Sequence, residues 1–341
     1  MELHVGILGT GLIGASLGQG VRQAGGQVLG WDPSPVAARL ALDAGGLDAI
    51  APDETSIWES NLDLVVLAGP PGAVLAAVRT LDAGTLTMDV AGVKGPICAA
   101  VPQGRRFIGT HPMAGRETSG PAAASAALFR GAAWVICRQG AVAEDLRTVE
   151  QLITSLGARP VTMTPAEHDE AVAMVSHLPQ LLAAVLVTAA SDHTSALDLA
   201  AGSFRDLTRV AASDPGAWAE VLHANAPALR SVVADLGVHL SRVVDALDDE
   251  ADELLDYLTA AQTSRRQLAP PVVAVRVALA DEPGEIARVG RALESSAVDL
   301  RDLQLRHAPH GGGGLLTLSV RPGEAEPLRS ALESQGLLLA N

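Results

Sequence analysis

Short apolar runs alternate with helix-length stretches along the first half of the chain. The runs are continuous in valine, leucine and isoleucine, which is typical of parallel strands buried on both faces. Six runs are candidate strands: Leu3–Leu8, Gln27–Trp31, Leu62–Ala68, Leu86–Val90, Phe107–Gly109 and Ala133–Cys137. Strands separated by helices predict crossover connections and a mainly parallel, doubly wound α/β sheet over residues 1–163.

A helical pattern begins at Thr164-Pro165-Ala166-Glu167, which offers a capping threonine, a proline for the first turn and a glutamate that can reach back to the cap. Apolar residues at three- and four-residue spacing then predict an all-α domain over residues 164–264, with another helix start at Ser213-Asp214-Pro215. The stretch Ala171–Ala190 is apolar nearly all round despite Pro179, so it has to be buried on every side. We therefore expect helices of two chains to interdigitate in a homodimer.

The pattern of apolar and polar residues changes again after Thr263–Pro271, a polar and then proline-rich segment that predicts a linker. Over residues 270–341 the order strand, helix, strand, strand, helix, strand is that of a small ferredoxin-like α+β domain. The predicted strands are Val272–Leu279, Val298–Arg306, Leu315–Val320 and Leu337–Leu339, and the predicted helices are Glu285–Ser295 and Glu324–Gln335. A turn at Gly311–Gly314 would join the two middle strands.

Composition excludes several classes of protein. The formal net charge is −15 and there is no cluster of lysine and arginine, so we expect no nucleic-acid partner. The longest apolar run, Leu181–Ala190, is far below the roughly 20 residues of a membrane span, and the chain enters a strand without a signal-peptide pattern. Cys98 and Cys137 form no Cys-x-x-Cys pair, so neither a disulfide framework nor a metal site is predicted. We expect a cytoplasmic protein without a membrane partner.

A glycine-rich turn follows the first predicted strand and opens a helix. Its sequence, Gly9-Thr10-Gly11-Leu12-Ile13-Gly14, fits the pattern of dinucleotide-binding turns. Gly9 would permit the tight turn, Gly11 would let the backbone approach a pyrophosphate, and Gly14 would allow close packing of helix on strand. A glycine-rich turn without any ligand is the alternative interpretation.

An acidic residue in register with this turn supports the first interpretation. Asp32 ends the second predicted strand, where a carboxylate accepts hydrogen bonds from the ribose hydroxyls and repels a 2′-phosphate. Gly69-Pro70, after the Leu62–Ala68 run, is a further candidate contact beside the nicotinamide ribose. Together these features predict a Rossmann-type domain that binds NAD rather than NADP.

A histidine follows another predicted strand near the same edge of the sheet. His111 lies in the segment Gly109–Glu117, where a neutral imidazole could take a hydroxyl proton as hydride leaves the adjoining carbon. A structural histidine is an equally weighted alternative. For a catalytic base with an unshifted pKa, kcat/KM would rise with pH through about 6.5.

Several other segments accompany this one along the chain. In sequence order the set is Asp89–Lys94, Gly109–Glu117, Val175–Gln180, Gly202–Ala211, and Ser213-Asp214-Pro215 with Trp218. In this order they resemble the prephenate dehydrogenase family, which includes arogenate dehydrogenases. The resemblance covers roughly residues 3 to 262. It implies the oxidative decarboxylation of prephenate to 4-hydroxyphenylpyruvate with reduction of NAD⁺, a step in tyrosine biosynthesis.

The resemblance also implies roles for side chains. His111 would accept the proton of the ring hydroxyl, and Arg209 would pair with a substrate carboxylate, unless it forms an ion pair with Asp206 or Asp214 instead. Further candidates for the substrate pocket are Ser176, Gln180, Glu117 and Trp218.

Two positions depart from a simple transfer of roles. His177 is interpreted as packing in the helical core rather than as a catalytic group. Some family members have a serine where this chain has Gly92, so the orienting role of that hydroxyl has to pass to another group or to water.

The last domain resembles an ACT domain through its element order and the segment Asp281–Ala287. Such domains commonly bind amino acids where two copies meet, and backbone amides at a helix start suit a ligand carboxylate. Asp281 and Gly284 are therefore candidate effector contacts, with tyrosine favoured over phenylalanine. A module that only dimerises is the alternative.

Other functions stay open from the sequence. Arogenate differs from prephenate by an amino group, and we favour prephenate because no acid clearly pairs with the extra ammonium, although Glu117 leaves the question open. Less favoured are another reductase with Rossmann and helical domains, and a non-catalytic regulator that senses NAD.

Overall fold

The computed structural model describes residues 3–81, 84–115, 120–138, 140–248, 251–267, 272–307 and 313–340. The chain forms two compact units, Met1–Val238 and His239–Asn341. The first unit contains a large sheet and most of the helical region. The second contains the end of a long helix, one further helix and a small sheet with its own helices.

One eight-stranded sheet is the base of the first unit. Its strands are β1 (His4–Leu8), β2 (Gln27–Trp31), β3 (Ala49–Ile50), β4 (Leu64–Leu67), β5 (Thr87–Asp89), β6 (Phe107–Pro112), β7 (Ala133–Cys137) and β8 (Arg159–Met163). They are ordered β3-β2-β1-β4-β5-β6-β7-β8. Of the strand pairs in this described sheet, only β6–β7 is antiparallel, so the predicted, mainly parallel sheet is confirmed.

Differences from the predicted strands have local causes. β3 has two residues and β8 has mostly exposed positions, so neither strand carries an apolar run to reveal it. β6 extends to Pro112 instead of ending at Gly109, because its second half pairs with β7. His111 therefore lies inside a strand rather than after one.

Helices cover both faces of this sheet. They are α1 (Leu12–Gln23), α2 (Pro35–Asp43), α3 (Glu54–Glu59), α4 (Pro71–Val78), α5 (Gly95–Ala100) and α6 (Ala143–Ser155), with a 3₁₀ turn at Pro121–Ala123. Leu64 and Val66 of β4 pack in the core on one face, and Val65 and Leu67 pack in the core on the other. Burial on both faces explains why this strand is apolar at every position.

The helical region follows β8. It comprises α7 (Pro165–Val172), a π-helical turn (Ala173–His177), α8 (Leu178–Ser191), α9 (Thr194–Asp198), α10 (Gly202–Thr208), a 3₁₀ turn (Arg209–Ala212), α11 (Pro215–Ala224), α12 (Ala226–Asp248) and α13 (Ala251–Gln267). The predicted capping box is present, with Thr164 and Glu167 bonding each other's backbone N–H. The predicted linker at Thr263–Pro271 is wrong over its first half, since α13 continues to Gln267.

The helix from Pro165 to Ser191 is long and apolar enough, by length and composition only, to cross a membrane. Its most apolar 18-residue stretch has a mean hydropathy of 1.7, and 33% of that stretch is buried. Val175 is 66% exposed and Val185 is 54% exposed. The single chain therefore does not bury this helix on every side, and its burial by the helices of a second chain stays a prediction.

The second unit contains a four-stranded antiparallel sheet. Its elements are β9 (Val273–Leu279), α14 (Glu285–Ser296), β10 (Asp302–His307), β11 (Gly314–Val320), a 3₁₀ turn (Pro322–Glu324), α15 (Ala325–Ser334) and β12 (Leu338–Ala340). The strands are ordered β10-β11-β9-β12, and the predicted order of strands and helices is present. β10 begins at Asp302 and not at Val298, and the predicted turn Gly311–Gly314 lies partly outside the described residues.

Candidate active site

Each glycine in the turn between β1 and α1 has a different structural role. Gly9 has φ of 97°, and a Cβ there would lie 2.7 Å from the carbonyl oxygen of Ala68. A Cβ on Gly14 would lie 2.0 Å from the carbonyl oxygen of Gly9. Among the described residues nothing lies within 4 Å of a Cβ on Gly11, so the backbone is open to a ligand at that position.

A cavity of about 700 Å³ opens beside this turn. Five of the predicted cofactor residues line it: Gly9, Gly11, Asp32, Gly69 and Pro70. The other four form the turn and the start of α1 behind it: Thr10, Leu12, Ile13 and Gly14. The volume is within the range of small-molecule and cofactor sites.

The carboxylate of Asp32 is held firmly at this cavity. Its Oδ2 accepts hydrogen bonds from the backbone N–H of Thr10 at 2.8 Å and from the Thr10 hydroxyl at 3.2 Å. Its Oδ1 accepts one from the Ser34 N–H at 2.9 Å. A fixed carboxylate, an open glycine backbone and a helix N-terminus together fit the ribose and pyrophosphate of NAD.

The reacting end of the site lies along the same edge of the sheet. Gly69 follows β4, Gly92 follows β5 and His111 lies near the end of β6, so the carboxyl ends of adjacent parallel strands bring them to one edge. A Cβ on Gly92 would lie 3.7 Å from both Cε1 and Nε2 of His111, which is ordinary contact. The Nε2 side of the imidazole therefore faces the segment after β5.

A buried ion pair holds these strand ends together. The ammonium of Lys94 is fully buried and forms an ion pair with Asp89, whose carboxylate also accepts the N–H of Ala91 and of Thr110, each at 3.0 Å. The Thr110 hydroxyl in turn accepts a hydrogen bond from the indole of Trp134 at 2.9 Å. This network ties the backbone of Thr110, next to His111, to the segment after β5.

His111 is linked to the helical region through a second histidine. Its Nδ1 lies 2.9 Å from Nε2 of His168, and Nδ1 of His168 lies 2.8 Å from Oδ1 of Asp169. Asp169 also accepts the backbone N–H of Lys94 and of Gly95, each at 2.7 Å. The first turns of α7 and the segment after β5 are therefore joined directly behind the His111 ring.

The surroundings keep the imidazole of His111 neutral. Burial is the main reason that the pKa of His111 lies well below its ordinary value, and the neighbouring side chains of His168, Lys94 and His177 lower the pKa further. Because a neutral imidazole is a base, His111 is ready to accept a proton at pH values below 6.5 as well as above. The expected pKa near 6.5 is therefore too high.

Ser176 and His177 lie in the π-helical turn between α7 and α8. Such turns occur often at functional sites. His177 is buried, its Nδ1 is 3.1 Å from Nδ2 of Asn225, and its ring centroid is 6.2 Å from that of Trp218. Burial lowers the pKa of His177 to about 4. These contacts support the interpretation of His177 as a packing residue; Ser176 is half-buried and Trp218 is partly exposed.

The predicted carboxylate-binding residue lies in the turn that follows α10. Arg209 is exposed and begins the 3₁₀ turn Arg209–Ala212. Gln180 is buried, and its amide donates a hydrogen bond to the carbonyl of Val210 at 2.9 Å, so it anchors that turn. Glu117 lies outside the described residues.

The predicted effector residues belong to the second unit. Gly284 has φ of 96° and precedes α14, and among the described residues nothing lies within 4 Å of a Cβ there. Gly284 and Asp281 line a cavity of about 350 Å³, together with Glu282, Leu305 and His307.

Sequence reasoning missed the residues that support His111. His168 and Asp169 lie in α7, 57 and 58 residues along the chain from His111, and no spacing rule connects them to it. Asp89 and Lys94 lie in a segment that carried the family resemblance, but nothing in that segment indicated a buried ion pair. The one signal in the sequence was an adjacent histidine and aspartate in the first turns of a predicted helix.

Comparison with known proteins identifies the family. The family model described as the nucleotide-binding domain of prephenate dehydrogenase matches residues 17–163, and the one described as its dimerization domain matches residues 164–260. The prephenate dehydrogenase of Bacillus subtilis is 27% identical, over 92% of this chain and 91% of that protein. The cyclohexadienyl dehydrogenase of Zymomonas mobilis is 29% identical, over 78% of this chain and 96% of that protein.

A solved structure extends the likeness to the fold. The prephenate dehydrogenase of A. aeolicus, in complex with hydroxyphenyl propionate and NAD⁺, is 26% identical, with a TM-score of 0.72. The match covers 79% of this chain and 99% of that one. The two family models together match more than half of this chain, and neither reaches the small antiparallel sheet. This chain belongs to the prephenate dehydrogenase family and is an NAD-dependent oxidoreductase.

Proposed function

We propose that this protein catalyses the NAD⁺-dependent oxidative decarboxylation of prephenate to 4-hydroxyphenylpyruvate in tyrosine biosynthesis. The observation that carries the proposal is the position of the His111 imidazole, near the end of β6 and beside Gly92, at the sheet edge that also carries the cofactor cavity. The relatives named prephenate dehydrogenase in B. subtilis and A. aeolicus support the choice of substrate.

His111 would act as the general base. Its Nε2 accepts the proton of the ring hydroxyl while the carbon that bears this hydroxyl gives up its hydrogen as hydride. NAD⁺, when bound, supplies the acceptor for that hydride. The C–O bond becomes a carbonyl. Cleavage of the bond to the ring carboxylate then releases carbon dioxide, the two electrons of that bond enter the ring, and the carbonyl oxygen becomes a phenolate that takes up a proton to give the hydroxyl of the product. The ring becomes aromatic, which makes the sequence effectively irreversible.

The helical region would supply the substrate contacts. Arg209 suits a bidentate contact with a carboxylate, since its planar guanidinium presents parallel N–H groups. The hydrogen bond from Gln180 to Val210 fixes the turn that begins with Arg209. Ser176 and Trp218 are proposed as further walls of the pocket, and Glu117 as a contact from the loop after β6.

Arogenate is the second candidate substrate. The Z. mobilis relative is a cyclohexadienyl dehydrogenase at an identity similar to that of the prephenate dehydrogenases, so overall likeness does not separate the two substrates. Formation of NADH with each substrate, together with identification of the keto or amino acid product, tests the proposal. Turnover of prephenate with kcat/KM well above that of arogenate supports it. Turnover of arogenate alone would overturn it.

The protein is proposed to act as a homodimer in the cytoplasm. Residues 164–260 match a family model described as a dimerization domain. In the single chain, apolar side chains of α8 are exposed to solvent, which is unfavourable. A second copy of this region would bury them. Sedimentation equilibrium should give a dimer at micromolar concentration, and a stable monomer would contradict the proposal.

The last four strands are proposed to form, with their helices, an ACT domain that binds tyrosine. The cavity at Gly284 combines the N–H groups at the start of the 12-residue helix α14, which suit a ligand carboxylate, with the carboxylates of Asp281 and Glu282, which suit its ammonium. Binding there would allow feedback control of the dehydrogenase. A module that only dimerises would show no tyrosine binding in calorimetry.

A further inference from the structure

The carboxylate of Asp169 is surrounded by groups that donate hydrogen bonds to it. Among the described residues this carboxylate has three partners, and two of them are the backbone N–H groups of Lys94 and Gly95, which can only donate. Although burial works in the opposite direction, the hydrogen bonds from His168 and from these two N–H groups lower the pKa of Asp169. The carboxylate is therefore ionised, and the third partner, Nδ1 of His168, has to carry a proton.

The ring nitrogen on which His168 carries its proton determines the ring nitrogen on which His111 carries its own. The side chain of His168 is fully buried, and a neutral imidazole that carries its proton on Nδ1 has a lone pair on Nε2. That lone pair faces Nδ1 of His111 at 2.9 Å, so His111 donates from Nδ1. The proton of neutral His111 is thereby placed on Nδ1, and its lone pair is on Nε2, the atom that faces the segment after β5.

We propose that Asp169 and His168 are positioning residues that hold His111 in the tautomer with a free Nε2 lone pair and stabilise the positive charge that His111 gains. This inference rests on the proposed role of His111 as the base. When Nε2 takes the substrate proton, the His111 imidazolium still donates from Nδ1 to His168, which still donates to the Asp169 carboxylate. A buried carboxylate fixes the tautomer of a catalytic histidine in the same way in Ser-His-Asp triads, with one imidazole fewer in between.

The alternative is a purely structural role. Asp169 also joins α7 to the segment after β5, so its loss could act only by loosening the fold. Variants of His168 separate the two roles, because the ring nitrogens of His168 bond to His111 on one side and to Asp169 on the other. In His168→Gln the side-chain oxygen can still accept the Nδ1 proton of His111. In His168→Ala nothing replaces that acceptor.

The kinetic test compares these two variants with a matched control. Val172 is 2% exposed in the same helix, one turn after His168, so Val172→Ala creates a buried cavity without touching the hydrogen-bond chain. Loss of an outer partner typically costs about 10–100-fold, so kcat should fall about 100-fold in His168→Ala and recover about tenfold in His168→Gln. KM for prephenate and the Kd of NAD⁺ should stay within about twofold, as for an interaction made only in the transition state. Val172→Ala should keep kcat within about twofold, as for a mutation that acts on stability alone.

Equal kcat values for His168→Ala and Val172→Ala would overturn the proposal, and so would a His168→Gln variant no better than His168→Ala. A second measurement needs no substrate. In the full-length protein labelled with ¹⁵N-histidine, the imidazole spectrum at neutral pH should show His111 protonated on Nδ1 and pyridine-like on Nε2, with His111→Asn giving the assignment. Protonation on Nε2 would overturn the proposal.

The two measurements also separate this proposal from the proposed reaction. The expected tautomer in a protein that does not oxidise prephenate would contradict the reaction but leave the roles of Asp169 and His168 intact. The opposite tautomer in an active dehydrogenase would contradict only those roles.

Discussion

Two alanine substitutions in the glycine-rich turn should have different effects, one on stability and the other on cofactor binding. A Cβ on Gly14 would lie 2.0 Å from the backbone oxygen of Gly9, which cannot rotate away. The extra atom gains about 0.5–1 kcal/mol of helix propensity but forces a backbone shift that costs about 1–3 kcal/mol. We expect Gly14→Ala to lower the free energy of unfolding by about 1–2 kcal/mol, and the Tm by about 2–4 °C for each kcal/mol.

Gly11→Ala should leave the apo protein unchanged. Among the described residues nothing lies within 4 Å of the new Cβ, and φ of −66° suits alanine, so stability should change by less than about 0.5 kcal/mol. The Cβ does occupy the approach of the pyrophosphate. Losing one charge-assisted hydrogen bond of about 1.5–3 kcal/mol should raise the Kd of NAD⁺ about 10–100-fold.

Thermal unfolding without cofactor and calorimetric titration with NAD⁺ measure the two effects separately, since bound ligand would itself raise the Tm. Gly11→Ala with the wild-type affinity for NAD⁺ would refute the assignment of the cofactor site. Gly14→Ala with the wild-type Tm would refute the packing argument.

Three further predictions concern the base, its neighbour after β5 and the last domain. Because the pKa of His111 is lowered, first by burial, kcat/KM should stay constant as the pH falls to 6.5 and decline only below it; a decline that begins at or above pH 6.5 would contradict this. The free energy of unfolding should also fall below about pH 6.5, because His111 takes up a proton there in the unfolded chain and stays neutral in the folded one. Gly92→Ser should place a hydroxyl beside Nε2 of His111, since the Cβ fits at 3.7 Å, and should raise kcat/KM for prephenate relative to the control Gly92→Ala; equal values for the two variants would show that the position does not act on the substrate. Removal of residues 270–341 should leave dehydrogenase activity and abolish inhibition by tyrosine, measured as NADH formation with and without tyrosine; unchanged inhibition would locate the effector in the active site.

Much of the fold was predictable because its signals are local. The turn Gly9–Gly14 and the capping box at Thr164 each depend on residues close together in sequence, and Asp32 is placed by one strand-helix-strand unit; the structure contains all three. β3 was not predicted because two residues give no pattern. The break expected at Thr263 was wrong because polar residues there continue an exposed helix.

The site was predictable only in part, for a different reason. His111 was identified by its position after an apolar run and by the family resemblance. Its partner His168 comes from α7, 57 residues further along the chain, and such a contact depends on tertiary packing that periodicity does not encode. The lowered pKa of His111 has the same origin, since burial and charges from separate elements produce it.

The central claim is that the His111 imidazole takes the hydroxyl proton of prephenate. The most direct measurement is single-turnover formation of NADH from prephenate by His111→Asn, with the Kd of NAD⁺ measured on the same preparation. We expect the rate to fall by about 10²–10⁴-fold while the Kd stays at the wild-type value, as for the loss of a general base alone. A His111→Asn enzyme that turns over prephenate at nearly the wild-type rate would contradict the account.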